Sequence, residues 1–512
     1  MFRKDGEDTV DILDVLKKYY GYTSFRPGQE EIIRQLLAQK DVLAVMPTGA
    51  GKSLCYQIPA LLMEGITPVI SPLLSLMQDQ VRALLSIGVR GAYLNSMLTP
   101  RQMQLATANA KKGVYKIIYV APERLASPDF LDFACHSHIA MVAVDEAHCI
   151  SQWGHDFRPS YLKIEEFIQK LSQRPPIAAF TATATPKVQQ DIITRLCLRT
   201  PFTLTAGFDR KNLYFGAYRP VDKERFLLDY VTKAGGQSGI IYCNTRKKVE
   251  SVTALLQERG FPALAYHAGM DDNDRKHNQE EFLYDRARIM VATSAFGMGI
   301  DKPNVRYVLH FNMPSNIEDY YQQAGRAGRD GEPAECILLY SYQDVRVSLY
   351  FIEHSQFEDG TDLVQQQRYR EEERRRLKQM TYYSNSPTCL RKRLLGYFGE
   401  YYKAPCRYCS VCNHDRIEKY LIPKEQPLNE QQKPIDEALL ERLKKERLRL
   451  AWLKGVPAFS IVQDRSLREM AAVKPRTLSQ MARIYGIGEY KLSHYGEALL
   501  KVIIEYENDT DF

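Results

Sequence analysis

No apolar run in the 512 residues approaches the roughly eighteen needed to cross a bilayer as a helix. The opening residues, Met1-Phe2-Arg3-Lys4-Asp5-Gly6-Glu7-Asp8, lack the apolar h-region of a secretory signal. No solenoid-type repeat recurs along the chain. Nor is there a secreted disulfide framework: of ten cysteines, Cys55, Cys135, Cys149, Cys197, Cys243 and Cys336 stand singly, as expected of reduced thiols. A strong net charge is also missing, since +7 is modest for this length. What remains has the ordinary globular balance of 45% hydrophobic and 26% charged residues, and the cytoplasm is the compartment expected for it. It is too long for one hydrophobic core, so three or four domains are expected.

The charge that is present is unevenly placed. Residues 361–420 hold 13 Lys/Arg against 7 Asp/Glu, nearly the whole positive excess. Such a stretch suits a polyanionic partner, and it equally suits a solvated helix face.

From Asp41 to about Tyr340, short apolar runs alternate with helical patterns. Val42–Met46, Thr67–Ile70, Lys116–Val120 and Met141–Val144 read as buried strands, with helices over Leu73–Ile87 and Val188–Leu196 among them. A second series contains Ser238–Cys243, Ile289–Thr293 and Val305–Leu309, with Asp209 to Pro220 joining the two. This is the pattern of two consecutive parallel sheets covered on both faces. Asp362 to Tyr383 is helical and highly charged, with Glu and Arg spaced for pairing along one helix. Three prolines fall between Tyr420 and Pro434, marking a linker, and residues 435–506 read as a compact all-helical unit.

Met46-Pro47-Thr48-Gly49-Ala50-Gly51-Lys52-Ser53 follows a strand and opens a helix. Glycines there let backbone N–H groups converge on phosphate at a helix N-terminus. Lys52 is expected at the β/γ-phosphates and Ser53 on Mg²⁺. The general pattern wants Gly where Met46 stands. Asp145-Glu146 ends an apolar strand about ninety residues on, which places both carboxylates at the sheet edge beside the phosphate loop. Asp145 suits Mg²⁺, and Glu146 suits orienting or deprotonating the attacking water. In Gln322-Gln323-Ala324-Gly325-Arg326-Ala327-Gly328-Arg329, two arginines three apart can reach a cleft and stabilise charge on the phosphate in transit, which makes hydrolysis depend on cleft closure.

Directly after Asp145-Glu146-Ala147-His148 comes Cys149-Ile150-Ser151-Gln152-Trp153-Gly154-His155-Asp156-Phe157-Arg158. Trp153 and Phe157 suit base stacking, worth about 1–3 kcal/mol per base, or else anchor the core. His155 and Arg158 suit phosphate contact or a relay to the catalytic carboxylates. Cys389, Cys406, Cys409 and Cys412 form C-x₁₆-C-x₂-C-x₂-C. Four thiolates suit tetrahedral Zn²⁺ pinning a module that has little core, and an iron–sulfur cluster uses four cysteines too.

These motifs, with Phe25-Arg26-Pro27-Gly28-Gln29, Ser71-Pro72-Leu73, Ala121-Pro122-Glu123-Arg124, Thr181-Ala182-Thr183-Ala184, Tyr266-His267-Ala268-Gly269 and Ala295-Phe296-Gly297-Met298-Gly299, resemble the RecQ family of superfamily-two DNA helicases. The resemblance covers residues 10–415 and 435–506. It implies two tandem RecA-like parallel-sheet domains (1–208 and 209–345), a helical zinc-binding module (346–415), a linker (416–434) and an HRDC-like all-α C-terminal domain (435–512). The Met46 variant of the phosphate loop fits helicase-type ATPases. By the same resemblance Tyr22, Arg26, Gln29, Thr48, Gly49, Gly51, Lys52 and Ser53 hold ATP. Lys52, Asp145, Glu146, His148, Gln322, Arg326 and Arg329 carry hydrolysis, and the four cysteines take zinc. Ser71, Asn95, Asn244-Thr245 and Thr293 sit near the DNA backbone.

The resemblance implies a DNA helicase using ATP and Mg²⁺, moving 3′ to 5′ on tailed duplexes in recombination and repair. It is expected to be a monomer at the bacterial nucleoid that meets single-strand-binding or other repair proteins. One departure stands out: typical bacterial members insert a winged-helix domain after the zinc module, and the stretch Asn413 to Pro434 is too short for one. A DNA-dependent translocase with weak unwinding, and an adaptor switched by ATP, are the rival readings. In the C-terminal domain Gly486-Ile487-Gly488 suits phosphate contact or a protein-contact turn, with Lys474, Arg476, Arg483 and Lys491 expected around it.

Overall fold

The computed structural model describes residues 11–94, 100–151, 154, 156–297, 302–355, 363–415 and 435–510. Its first sheet has seven strands: β1 (Val42–Val45), β2 (Thr67–Ile70), β3 (Gly91–Leu94), β4 (Ile117–Val120), β5 (Val142–Val144), β6 (Ile177–Thr181) and β7 (Phe202–Thr205). They lie in the order β3-β4-β2-β5-β6-β1-β7, every pair parallel. The second sheet has six: β8 (Leu213–Tyr218), β9 (Gly239–Tyr242), β10 (Ala263–Tyr266), β11 (Ile289–Ala292), β12 (Tyr307–His310) and β13 (Ala334–Leu339). Its order is β10-β11-β9-β12-β13-β8, again all parallel. Two RecA-like parallel sheets, as expected, therefore carry the chain.

The inner strands of both sheets are buried from both sides, which is why they read as apolar runs. Val42, Leu43, Ala44 and Val45 are fully buried, as are Val142, Ala143 and Val144. The expected helices run from Leu74 to Leu85 and from Pro186 to Arg195. The segment expected only to join the sheets does more. Its residues Leu213–Tyr218 form β8, an edge strand paired along its length with β13.

The long charged helix spans Leu363–Ser384 and is followed by a shorter one, Leu390–Tyr397. This helical module leans on the second sheet: Ser410 N–H donates to the Phe215 carbonyl at 2.9 Å, and Tyr214 OH donates to Asp415 at 2.5 Å. The C-terminal unit is all-helical around its own core of Leu439, Leu443, Leu467, Met470, Met481 and Ile503. No described helix is long and apolar enough to cross a membrane.

Candidate active site and nucleic-acid interface

The phosphate loop leaves the carboxyl end of β1 and enters the helix Lys52–Leu62. Met46 is the last rung of the strand: its N–H donates to the Thr181 carbonyl at 2.9 Å and its side chain is fully buried. That explains an apolar residue where glycine is usual. Gly49 and Gly51 have φ of 81° and 80°, a region that costs other residues energy. A Cβ on Gly51 would also stand 2.5 Å from Gln29 Nε2. Gln29 is itself buried and donates to the carbonyls of Ala50 and Gly51 at 3.0 and 3.1 Å, while Arg26 donates to the Gly49 carbonyl. Two of the residues expected to hold ATP thus also brace the loop backbone.

Asp145 and Glu146 follow β5 directly. Asp145 N–H donates to the Ile70 carbonyl at 2.9 Å, and Tyr161 OH donates to the Asp145 carbonyl at 2.9 Å. Glu146 takes φ 47° and ψ 47°, an uncommon conformation for a residue with a Cβ and one that gathers at functional sites. Burial, reinforced by the Glu146 charge, lifts the Asp145 carboxyl to about 7. Lys52 Nζ, buried and without a hydrogen bond, lies 3.9 Å from Glu146 Oε1. A buried carboxylate pair facing one ammonium is under-compensated, and it suits a divalent cation. His148 is fully buried, with Nδ1 2.9 Å from Thr181 Oγ1 and 3.4 Å from Glu146 Oε2.

The second sheet supplies the facing wall. Gln322 lies in the helix Ile317–Ala324, and the turn after it carries Arg326 and Arg329. Arg326 is 4% exposed. Burial lowers its guanidinium pKa, and Glu146 is among the groups that oppose this. The walls approach closely: a Cβ on Gly325 would collide with Thr48 Oγ1, which itself donates to the Gly325 carbonyl at 3.1 Å. Arg210 straps them together. It donates to the Thr48 carbonyl at 2.7 Å on one side and to the Ala327 and Gly328 carbonyls at 3.1 and 2.7 Å on the other. Sequence reading missed Arg210, a single arginine in a joining segment with no motif around it.

Between the walls lies a cavity of about 1280 Å³. Lys52, Ser53, Asp145, Glu146, Gln322, Arg326 and Arg329 all line it. The C-terminal unit closes its mouth, which sequence reading also missed. The Tyr485 ring lies 5.0 Å from that of Tyr22, and Arg465 stacks over Tyr485 at 4.0 Å. A Cβ on Gly488 would stand 3.0 Å from Gly21 N and 3.2 Å from the Tyr19 carbonyl. The Gly486–Gly488 turn, expected to meet phosphate or to make a protein contact, packs against the first sheet's domain, because two glycine backbones allow it. Lys474 is paired with Asp436 at 2.7 Å and Arg476 with Glu507 at 3.0 Å. The same unit reaches the second sheet's domain, where Tyr284 OH donates to the Gly455 carbonyl at 2.8 Å and Arg468 pairs with Glu332 at 3.5 Å.

Trp153, His155 and Asn95 lie outside the described residues. Phe157 is half-buried, and so is Arg158, which donates to Asp156 Oδ2 at 3.1 Å and to the Pro72 carbonyl at 3.1 Å. Arg376 of the charged helix reaches the Gly154 carbonyl at 3.4 Å, so the loop after Glu146 is tied both to the residues after β2 and to the zinc module. Ser71 is fully buried. Thr293, half-buried at the end of β11, accepts from Ala295 N–H at 3.4 Å. Asn244 donates to the Met313 carbonyl at 3.1 Å, and Thr245 caps the helix Arg246–Glu258.

The four cysteines converge, with ligand atoms all within 4.8 Å of one another. Backbone N–H groups of Lys392, Tyr408 and Cys412 each approach a sulfur at 3.4 Å, the donor set that thiolates take up. The hydrogen bond from Cys406 brings the Cys409 thiol down to about 4. These residues fit a tetrahedral zinc ion.

Family profiles match in the order of the fold: DEAD/DEAH box helicase over residues 26–192 and helicase conserved C-terminal domain over 222–331. Together with the two-sheet cleft they define a superfamily-two helicase. RecQ zinc-binding follows over 342–413 and HRDC over 436–503. Alignment with the ATP-dependent DNA helicase RecQ of Bacillus subtilis gives 36% identity over 593 positions, 97% of this chain and 99% of that protein. The RecQ of Pasteurella multocida is 34% identical over 99% of this chain and 97% of its own. The chain belongs to the RecQ family of ATP-dependent DNA helicases. Its 512 residues are fewer than the 593 aligned positions, so that relative carries segments with no counterpart here. The Lhr helicase of Mycobacterium smegmatis, solved with ssDNA and AMP-PNP, shares the fold (TM-score 0.51, 20% identity, 65% of this chain and 48% of that one).

Proposed function

We propose that this helicase moves 3′ to 5′ along a single strand and unwinds tailed duplexes, in recombination and repair. The reading rests on one observation: the phosphate loop and Asp145-Glu146 from one sheet, and Gln322, Arg326 and Arg329 from the other, line a single cavity. Loop N–H groups and Lys52 bind the phosphates of ATP, held in place from behind by Gln29 and Arg26. Asp145 and Ser53 would hold Mg²⁺, which would neutralise phosphate charge. Glu146 orients the attacking water and takes its proton. His148 Nδ1 lies 3.4 Å from Glu146 Oε2 and adds to the field around it, and Arg326 and Arg329 meet charge on the phosphate in transit. Because those arginines belong to the second sheet, the reaction requires a closed cleft. Opening after hydrolysis resets the motor.

The loop from Ser151 to Arg158 is proposed to sense the strand, with Trp153 and Phe157 stacking on bases and His155 and Arg158 meeting phosphate. Ser71, Asn95 and Thr293 are proposed to lie along the backbone, Ser71 after the burial around it opens. Tyr22 faces the adenine. Zinc at Cys389, Cys406, Cys409 and Cys412 supplies a structural staple for the module. The functional units are 1–208, 209–345, 346–415, the linker 416–434 and 435–512. The protein is proposed to act as a cytoplasmic, nucleoid-associated monomer alongside single-strand-binding and other repair proteins.

A strand-displacement assay on 3′-tailed, 5′-tailed and blunt duplexes tests the reading. Displacement restricted to the 3′-tailed substrate is expected. Strong DNA-stimulated hydrolysis with no displaced strand would instead support a translocase that remodels protein–DNA complexes, a reading favoured by the 22 residues separating the zinc-binding and HRDC matches.

A further inference from the structure

We propose that His148, Cys149 and Asp156 form a second, thiolate-containing metal site for a zinc-class divalent cation, separate from the four-cysteine site. His148 and Cys149 are both fully buried, beside the nucleotide cleft, and Asp156 is partly exposed on the loop that follows. The three donor atoms lie within 4.8 Å of one another. Cys149 Sγ stands 3.8 Å from His148 Nε2 and 3.7 Å from the Asp156 carboxylate. With metal–sulfur bonds of about 2.3 Å and metal–nitrogen or metal–oxygen bonds of about 2.0–2.2 Å, tetrahedral geometry sets neighbouring donors about 3.6 Å apart. Two edges of that tetrahedron are therefore already built, and a swing of Asp156 closes the third.

The histidine carries the tautomer a metal needs. Thr181 Oγ1 donates to the Thr183 carbonyl at 3.2 Å, so it faces His148 Nδ1 at 2.9 Å as an acceptor. The proton then sits on Nδ1, and the Nε2 lone pair points toward Cys149. A ligating histidine whose other nitrogen donates to a hydroxyl or carboxylate is the usual outer arrangement of such sites, and here Glu146 Oε2 is the second neighbour, at 3.4 Å. Binding releases the Cys149 proton to solvent, so sulfur ligates as thiolate with no change of oxidation state.

Occupancy has a mechanical consequence that rests on the proposed role of the loop. Asp156 Oδ2 now holds Arg158 through two nitrogens at 3.1 Å each. A cation drawing Asp156 to Cys149 competes with Arg158 and fixes the loop against Glu146 and His148. Hydrolysis then stops responding to DNA.

The test titrates full-length protein carrying its structural zinc with Cd²⁺, reading thiolate-to-cadmium absorption and counting both metals per chain. One added cadmium with the structural zinc retained is expected, with the absorption lost in Cys149→Ser and in Asp156→Asn. Asp156 is partly exposed, so its variant guards against misfolding at the buried cysteine. Thr181→Val, which removes the acceptor for Nδ1–H, should weaken binding by about 10–100-fold. No added equivalent, or absorption that survives Cys149→Ser, overturns the site. A second arm measures DNA-stimulated ATPase with added Zn²⁺: loss that EDTA reverses is expected. Binding without that loss keeps the site and overturns the loop's part in coupling.

Discussion

The Arg210 guanidinium bonds the Thr48 carbonyl at 2.7 Å and the Gly328 carbonyl at 2.7 Å, so one side chain spans the phosphate loop and the arginine-bearing turn. Burial lowers its pKa, and a half-buried charge held by these carbonyls and by Asn212 Oδ1 at 3.3 Å is costly to leave half-paired. Arg210→Ala should reduce kcat/KM for ATP by about 10–150-fold, the equivalent of about 1.5–3 kcal/mol for one charged hydrogen bond. Arg210→Lys cannot span both loops and should recover little. Steady-state kinetics with saturating single-stranded DNA decides it; near-normal kcat/KM in the alanine variant removes Arg210 from closure.

Glu146→Gln keeps the shape of the αL residue and removes the base. Turnover should fall by about 10²–10⁴, while nucleotide affinity, measured by equilibrium binding, stays close to that of the parent. A variant that turns over normally would transfer the role to another group.

The raised Asp145 pKa sets a pH dependence whose sign can be worked out. Folded Asp145 holds its proton up to about 7, whereas the unfolded side chain loses it near 4. Its contribution to stability is therefore complete below about 4 and is lost as pH rises through about 7. Magnesium has the opposite preference, for the ionised form. Apparent Mg²⁺ affinity should rise by about tenfold per pH unit up to 7 and then level off. Asp145→Asn should flatten that profile in a magnesium titration of ATPase activity.

Trp153→Ala should leave basal hydrolysis intact and blunt its stimulation by single-stranded DNA, because stacking is worth about 1–3 kcal/mol per base. An unchanged response to DNA would assign Trp153 to packing.

Metal analysis of protein purified without added metal should return about one zinc per chain. Cys409→Ser should remove it and lower the melting temperature. An iron chromophore would replace the zinc assignment.

The strands read from the sequence are buried on both faces, such as Val42–Val45 and Ile289–Ala292, because continuous apolar runs survive any orientation of the sheet, although β6 and β13, interior and buried too, were not among them. Edge strands were missed. β7 alternates between half-buried and exposed residues, and β8 was hidden in a segment that reads as a connector. Lys52, Asp145, Glu146, Gln322, Arg326 and Arg329 were legible because the chemistry demands their types at fixed places beside strands and glycines. Arg210 bonds across the cleft to backbone carbonyls, which leave no mark on sequence. The docking of the C-terminal unit depends on two surfaces fitting, although Gly21 and Gly488, far apart in the chain, hinted at a close approach of backbones.

That docking touches both halves of the motor, through Tyr485 on Tyr22 and through Gly455 and Arg468 on the far side. Any stroke that changes the angle between the halves must stretch or release this third contact. The C-terminal unit thus acts on the two halves like a parking brake. Early turnovers from nucleotide-free protein are expected to be slower than later ones, and the length of that lag measures how firmly the C-terminal unit holds. Gly488→Leu, which denies the close approach, should shorten it.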